Sequence, residues 1–172
     1  MSRNIEIKAY ISSVETLKPL AVAISDKGPI EIEQDDTFFH CDSGQIKLRA
    51  FSHNDGELIY YRRANQFGPK ESFYLRSRTS APESMRDSLS QAYGQVGRVI
   101  KHRTLYLAGR TRIHLDIVQD LGHFLELEVV LADHESTEIG VHEANELMIK
   151  LGINSTQLID CAYVELLARK RT

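Results

Sequence analysis

The sequence predicts an α+β protein built around one antiparallel sheet that is large enough to curl or to close on itself. Apolar and polar residues alternate along roughly eight short segments, as they do in strands with one buried face. Turn residues, chiefly glycine, asparagine and aspartate, separate many consecutive segments and favour antiparallel neighbours. Helical periodicity appears in four inserted stretches, so we expect helices to flank the sheet.

The first half of the chain contributes most of the strands. Residues 3–10 form the first predicted strand, because Asn4 to Lys8 alternate strictly between polar and apolar. A helix is expected from Thr16 to Ser25, which places Pro19 in the first turn, where proline is tolerated. Asn54-Asp55-Gly56 predicts a hairpin turn, because glycine supplies the positive φ that such a turn needs. The other strands predicted in this half span residues 30–40, 45–51, 57–63 and 72–77.

The second half alternates between helices and strands. A helix is predicted over Pro82–Tyr93, because Ser80 and Glu83 have capping-box spacing and Gly94 ends the periodic pattern. Further strands are predicted over 99–107, 111–118 and 124–131, and helices over 138–151 and 156–169. No linker or repeat divides the sequence, so we expect a single domain over residues 1–172.

Composition narrows the classes of function. The net charge of −3 gives no overall attraction to nucleic acid or to an anionic membrane. Cys41 and Cys161 are far apart and do not have the spacing of a zinc site or a disulfide framework. The N-terminus shows no apolar signal region, and no apolar run reaches membrane-spanning length. We therefore expect a soluble, cytoplasmic protein, and the sequence does not predict its oligomeric state.

The polar faces of the predicted strands carry a distinctive set of charges. Basic residues outnumber acidic ones on these faces although the whole chain is slightly acidic, and the acidic residues are grouped. In a sheet with one solvated face, there is no physical reason for basic and acidic residues to be separated from each other. If the sheet closes, these charges point inward, and a bound polyanion with a divalent metal would offset them. The residues on these faces are Asn4, Glu6, Lys8, Lys47, Arg49, Arg62, Arg63, Lys101, Arg103, Arg112, His114, Asp116, Glu126 and Glu128.

Several blocks of the sequence together resemble the CYTH domain, also called the triphosphate tunnel metalloenzymes. Asn4-Ile5-Glu6-Ile7-Lys8 resembles the E-x-E-x-K motif of that family, which includes class IV adenylate cyclases and thiamine triphosphatases. The resemblance implies an eight-stranded antiparallel β-barrel that forms a tunnel, with flanking helices. The other matching blocks are residues 34–39, 46–49, 58–63, 99–103, 112–116 and 121–128, and Tyr163 lies beyond them near the C-terminus.

The resemblance also implies roles for the charged residues. Lys8 and Glu6 are the catalytic candidates, with Lys8 as a base for the attacking water or, chiefly, as a phosphate ligand. Arg63 competes with Arg62 for the tunnel face, since adjacent residues of a strand point in opposite directions. The ligands implied for Mg²⁺ or Mn²⁺ are Glu6, Glu126, Glu128 and Asp116. The phosphate-binding set implied is Lys8, Lys47, Arg49, Arg62, Lys101, Arg103 and Arg112.

The expected substrate is a small molecule that contains a triphosphate, such as inorganic triphosphate, thiamine triphosphate or a nucleotide. Hydrolysis is the favoured reaction, because the motifs specify binding of a triphosphate and a metal but no binding site for a nucleotide base. The alternatives are a class IV-like adenylate cyclase and a non-catalytic binder of polyphosphate or nucleotide. Asn4 replaces a glutamate of the family motif, which predicts weaker or altered metal binding. His114 faces the tunnel either as a phosphate contact or as a neutral spacer.

Overall fold

A computed structural model describes residues 1–172 and shows a closed antiparallel β-barrel of eight strands. The order around the barrel is β1-β5-β4-β3-β2-β6-β7-β8, closing back to β1. The predicted α+β class and the eight-stranded barrel implied by the resemblance are therefore confirmed. The strands are β1 (Ser2–Tyr10), β2 (Lys27–Phe39), β3 (Gln45–Ser52), β4 (Asp55–Arg63), β5 (Lys70–Thr79), β6 (Gln95–Ala108), β7 (Thr111–Val118) and β8 (Gly122–Val130).

Four α-helices flank the barrel. They are α1 (Val14–Ile24), α2 (Pro82–Tyr93), α3 (Thr137–Lys150) and α4 (Tyr163–Arg171). Helix α1 begins earlier than predicted, because the Ser13 hydroxyl accepts a hydrogen bond from the Glu15 amide at 3.2 Å. Pro19 consequently lies in the interior of α1 rather than in its first turn, on the exposed side of the helix. None of the helices combines the length and apolar composition needed to cross a membrane.

The main apolar core lies outside the barrel, between its outer face and helices α1 and α3. Alternation along β1, β7 and β8 sends apolar side chains outward to this core and most charged ones inward. Gly140 of α3 packs so closely on β1 that an added Cβ would lie 2.7 Å from Ile5. Burying each large side chain of this core contributes about 1.5–3 kcal/mol. Its buried residues from strands and helices include Ile5, Ile7, Leu17, Ile113, Leu115, Leu125, Leu127, Ala144 and Leu147.

The predicted helix over residues 156–169 is wrong in its first half. A 3₁₀ turn spans Ser155–Gln157, and α4 begins only at Tyr163. The intervening backbone pairs with β1 instead: the Ile159 amide donates to the Lys8 carbonyl at 2.9 Å, and Leu158 forms a bridge with Ala9. These tertiary hydrogen bonds override the local helical periodicity. We call residues 158–163 the end segment, because they cross one end of the barrel.

The end segment closes that end of the barrel. Cys161, Ala162 and Tyr163 are at most 4% exposed. They belong to a second apolar cluster that includes Phe38, Val99, Val118 and Phe124 of the strands. The cavity inside the barrel is lined at this end by Ala162 and Tyr163, and it also reaches Arg76, an exposed residue of β5. The tunnel therefore has one closed end and opens to solvent elsewhere.

Candidate active site

The tunnel inside the barrel collects most of the charged residues that the strand faces predicted. Its volume is about 300 Å³, and side chains from all eight strands and from the start of α4 line it. Basic residues outnumber acidic ones on its walls. The basic residues are Lys8, Lys47, Arg49, Arg63, Arg76, Lys101, Arg103 and Arg112, and the acidic ones are Glu6, Asp36, Glu57, Glu126 and Glu128.

The structure corrects the assignment of Arg62 to the phosphate-binding set. Arg62 is exposed on the outer face of β4, whereas Arg63 lines the tunnel. Arg63 pairs with Ser72 across the β4–β5 ladder, and its guanidinium binds the carboxylate of Glu6 on β1. Only one of two adjacent strand residues can face inward. The sequence could not make this choice, because it depends on the register of the strand within the barrel.

The antiparallel register of β7 and β8 brings three potential metal ligands together. His114 is directly opposite Glu126, and Arg112 is opposite Glu128. One ligand atom each from His114, Glu126 and Glu128 lies within 4.8 Å of the others. Glu126 and Glu128 are two residues apart in a strand, so their side chains point to the same face. His114, for which the sequence left two roles open, therefore lies next to the two predicted glutamate ligands.

Glu6 is near these residues but is not part of the group. It lies opposite Glu128 across the β1–β8 ladder. Its carboxylate is engaged by the Arg63 guanidinium, which is only 6% exposed. A charged hydrogen bond of this kind orients both partners. Of the predicted metal ligands, the structure thus brings Glu126 and Glu128 together with His114 and gives Glu6 a different partner.

Basic side chains surround the two glutamates of β8. Lys8 Nζ lies 2.9 Å from Glu126, and Arg103 Nη2 lies 2.6 Å from it. Arg112 Nη2 lies 2.7 Å from Glu128. Burial acts to raise the pKa of Glu128, but the positive charges of protonated His114 and of Arg112 outweigh it and lower that pKa to about 2. Burial also acts to raise the pKa of Glu126, but the charges of Lys8 and Arg103 outweigh it and hold that pKa well below its usual range. Both carboxylates are therefore ionised at neutral pH.

Asp116 does not join the ligand group either. It is fully buried, and Arg103 donates to both of its oxygens at 2.7 and 2.6 Å. The Tyr163 hydroxyl donates to it at 2.9 Å. Burial acts to raise the pKa of Asp116, but the Arg103 charge outweighs it and lowers that pKa. Asp116 therefore orients Arg103 and attaches the end segment to β7.

Asp36 of β2 orients Arg49 as Asp116 orients Arg103, from two strands away in the barrel, and the sequence reasoning did not single it out. Arg49 donates to its two oxygens at 2.7 Å each, and Lys47 donates to it at 2.9 Å. Asp36 is 1% exposed. The available signal was its alternation with Gln34 and Phe38, which places all three on the tunnel face. Two arginines of the predicted phosphate set, Arg49 and Arg103, are thus each held bidentately by a buried aspartate.

Two tunnel lysines have pKa values close to neutral. Burial lowers the pKa of Lys101 to about 7, and repulsion by Arg103 adds to this effect. Burial likewise lowers the pKa of Lys47 to about 8, helped by Arg49. The nearest carboxylate oxygens to Lys101, on Asp36 and Asp116, are 3.9 and 4.0 Å away. Both lysines can therefore gain positive charge when an anion enters the tunnel.

Two further lysines lie against the end segment. Lys8 Nζ donates to the Cys161 carbonyl at 3.5 Å and lies 4.1 Å from the centre of the Tyr163 ring. Lys70, which was not predicted, is 2% exposed and donates to the Asp160 carbonyl at 3.2 Å. Burial lowers the pKa of Lys70 to about 8. The closed end of the tunnel is therefore also basic.

The family model of the CYTH domain matches residues 2–163. The chain belongs to the CYTH domain family. Among curated protein sequences, none matches the chain significantly.

Solved structures share the fold of this CYTH domain at low sequence identity. The PH1012 protein of Pyrococcus horikoshii OT3 is 21% identical with a TM-score of 0.84, covering 95% of this chain and 98% of its own. A candidate adenylate cyclase from Vibrio parahaemolyticus is 14% identical with a TM-score of 0.77, covering 96% and 97%. HpAC1 from Hippeastrum, described as a candidate adenylyl cyclase with a dominant triphosphatase activity, is 15% identical with a TM-score of 0.68, covering 100% and 97%.

Asn4 is the position at which this CYTH domain departs from the E-x-E-x-K motif. Asn4 is 3% exposed and lies between Ser72 of β5 and Val130 of β8. Its side chain lines the tunnel, and its buried Oδ1 has no hydrogen-bond partner. Buried polar atoms are normally satisfied, so this oxygen is available to a bound group. Asparagine offers an acceptor here but not the negative charge of the family's glutamate.

The ligand group of β7 and β8 fits a divalent cation. Glu126 and Glu128 supply ionised carboxylate oxygens, which Mg²⁺ and Mn²⁺ prefer. The buried Nδ1 of His114 has no hydrogen-bond partner, and its distance from Glu126 is 3.6 Å. Burial lowers the pKa of His114, with a further contribution from Arg103, so the imidazole keeps a free lone pair at neutral pH. The donor set therefore suits the metal dependence of the family.

Proposed function

We propose that this CYTH domain is a divalent-metal-dependent phosphohydrolase that acts on a triphosphate-containing substrate bound in the tunnel. The observation that carries the proposal is the set of basic side chains that converge on one cavity from six of the eight strands, all but Arg76 being partly or fully buried. Such charges are costly to bury without a partner, and a polyanion supplies one. Inorganic triphosphate, thiamine triphosphate and nucleoside triphosphates all have this chemistry.

The number and spread of the basic residues favour a chain of phosphates over a single phosphate. Arg49 and Arg103 lie on β3 and β6, which are separated by β2, and each is fixed by its own aspartate. Fixed guanidinium groups lose little freedom when they bind an anion. We assign them to orient the phosphates. Lys47, Lys101 and Arg112, which line the same cavity, complete the contacts to phosphate oxygens.

Lys8 is assigned to hold the phosphate nearest the closed end. Its ammonium lies between Glu126, the Cys161 carbonyl and the Tyr163 ring, which fixes its position. Arg63, rather than Arg62, completes the phosphate-binding set. Glu6 is assigned to orient Arg63 through their ion pair. These roles differ from the sequence-based expectation, in which Glu6 was a metal ligand and a catalytic residue.

Glu126 and Glu128 are assigned to hold Mg²⁺ or Mn²⁺. Bound there, the metal would neutralise negative charge on the phosphates and activate a water or orient the leaving group. The protein itself contributes three things: it positions the phosphates, it holds the carboxylates ionised, and it shields the reaction from bulk water.

A class IV-like adenylate cyclase is the second candidate function. The descriptions of the Vibrio and Hippeastrum proteins favour it, because both name an adenylate cyclase on the same fold. The dominant triphosphatase activity described for the Hippeastrum protein favours hydrolysis instead. Cyclisation also requires a ribose oxygen placed against the α-phosphate, whereas hydrolysis requires only water. Hydrolysis is therefore the simpler use of this site.

One experiment separates these functions. The protein is incubated with Mg²⁺ or Mn²⁺ and with inorganic triphosphate, thiamine triphosphate or ATP, and the products are resolved by chromatography. Release of orthophosphate supports hydrolysis, and cyclic AMP with pyrophosphate supports cyclisation. Binding without turnover of any substrate contradicts both.

Glu126→Gln should lower the rate by about 100-fold or more, whereas Glu33→Gln, on the outer face beside His102, should not change it. Full activity of Glu126→Gln would contradict the metal assignment.

A further inference from the structure

His114 carries a buried ring nitrogen that no hydrogen bond in the tunnel satisfies. Its side chain is 5% exposed, yet its Nδ1 donates to no group and accepts from none. Glu126 Oε2 is 3.6 Å away, just beyond hydrogen-bond distance. A buried imidazole without a partner is costly, so this nitrogen needs a bound group. The neighbours that share its face are two carboxylates, Glu126 and Glu128.

We propose that His114 is a metal ligand, and that this tunnel holds one first-row transition-metal ion, such as Mn²⁺, in preference to Mg²⁺. The site would consist of one histidine and two glutamates. The inference deepens the proposed function by naming the ligands and the class of metal. Only the role of the metal in catalysis rests on the proposed function, because metal binding itself can be measured without any substrate.

The distances suit one ion. The three ligand atoms lie within 4.8 Å of one another. Ligands on opposite sides of an octahedral ion are about 4.2 Å apart when each bond is about 2.1 Å. Rotation of the glutamate side chains, with Glu126 turning away from Lys8 and Arg103, would close the difference. Strand register already sets the positions of the ligands, since His114 is opposite Glu126 and Glu128 follows on the same face.

The chemistry of the donors sets the preference between metals. Mg²⁺ selects oxygen ligands and retains its waters, whereas imidazole suits first-row transition metals. Mn²⁺ accepts both carboxylate oxygen and imidazole nitrogen. Replacing one oxygen donor by nitrogen therefore weakens Mg²⁺ binding more than Mn²⁺ binding. A site made of glutamates alone would discriminate less between the two metals, because carboxylate oxygen suits both.

Neighbouring groups argue against a second ion. Glu6, which lies opposite Glu128, is already bound by Arg63, and arginine keeps its charge at any ordinary pH. Asn4 offers a neutral oxygen in place of a carboxylate. Asp116 is bound by Arg103 and by Tyr163. The only group of three metal-ligating side chains with ligand atoms within 4.8 Å of one another is His114, Glu126 and Glu128, so we place the single ion there and not beside Glu6.

The test uses Mn²⁺ alone, without substrate. Electron paramagnetic resonance counts the bound ions, pulsed measurements detect coupling to a ¹⁴N ligand, and competition with Mg²⁺ gives the ratio of affinities. We expect one Mn²⁺ per chain with ¹⁴N coupling. His114→Asn should remove this coupling and lower Mn²⁺ affinity about 10-fold or more, with a smaller effect on Mg²⁺. His102→Asn is the matched control, because His102 also lies beside two glutamates but on the outer face.

Two bound ions per chain, or no nitrogen coupling in the unaltered protein, would overturn the inference. Loss of the coupling in His102→Asn but not in His114→Asn would do so as well. The measurement on the unaltered protein decides the matter even if His114→Asn does not fold. Nitrogen-coupled Mn²⁺ without turnover of any triphosphate would contradict the proposed function and leave this inference intact. Triphosphate hydrolysis without nitrogen coupling would support the proposed function and overturn this inference.

Discussion

Lys101 predicts that triphosphate binding takes up protons. Lys101 is 4% exposed, and burial together with Arg103 lowers its pKa to about 7. An anion close by favours the charged ammonium and raises the pKa again. Binding above pH 7 should therefore draw a proton from solution onto Lys101. Lys101→Met, which keeps most of the side chain's length but cannot be protonated, should abolish this contribution.

The pKa values give the size of the effect. At pH 8 an amine with a pKa of about 7 is protonated in about one molecule in ten, so full protonation takes up about 0.9 proton. Lys47, with a pKa of about 8, contributes about 0.5 proton at the same pH in both proteins. The unaltered protein should thus take up about 0.9 proton more than Lys101→Met. At pH 6 the difference should nearly disappear, because Lys101 is then charged before binding.

Isothermal titration calorimetry measures this number directly. Inorganic triphosphate is titrated into metal-free protein in buffers with different enthalpies of ionisation, and the slope of observed enthalpy against buffer enthalpy gives the protons exchanged. Protons released by the ligand itself cancel between the two proteins. Lys150→Met, on the exposed end of α3, is the control and should match the unaltered protein. Equal proton numbers for Lys101→Met and the unaltered protein at pH 8 would refute the reasoning.

Three further predictions concern the acidic side of the tunnel. The pKa of Glu128 is about 2 in the folded chain against 4.5 for the unperturbed group, so its contribution to stability is present above pH 4.5 and is lost as the pH falls towards 2. Thermal unfolding of Glu128→Gln should accordingly depend less on pH in that window than unfolding of the unaltered protein, and identical slopes would contradict this. Asn4→Glu restores a carboxylate and should tighten Mg²⁺ and Mn²⁺ binding by about tenfold; unchanged metal dependence would count against a role for Asn4. Arg63→Gln releases Glu6 and should allow a second Mn²⁺ ion to bind, as counted by paramagnetic resonance, whereas a single ion would show that Arg63 does not exclude it.

Strand alternation made much of the tunnel predictable from the sequence. Glu126 and Glu128 were expected on one face, and the structure has them there, because the side-chain period of a strand is a local property. The same argument holds for Lys101 and Arg103, which reach the tunnel as expected. The closure of the sheet itself was implied by the family resemblance, since alternation alone cannot distinguish a curled sheet from a closed one.

What the sequence could not predict depends on long-range pairing. Arg63 rather than Arg62 faces the tunnel because of the register between β4 and its neighbours. The helix predicted from residue 156 fails because β1 binds the backbone at Ile159. Asp36 and His114 acquire their roles only from the register of the neighbouring strands β3 and β8, which supply Arg49 and Glu126. In each case the deciding contact joins two segments that pair with each other only in the folded barrel.

The end segment has a kinetic consequence under the proposed function. A linear substrate must enter from the open side with its terminal phosphate leading, and that phosphate then lies beside Lys8 and Tyr163. Cleavage leaves orthophosphate at the closed end, with the larger product between it and the mouth. The products must therefore depart in a fixed order, larger fragment first. The fold would in this way determine the sequence of release and make orthophosphate the last product to leave.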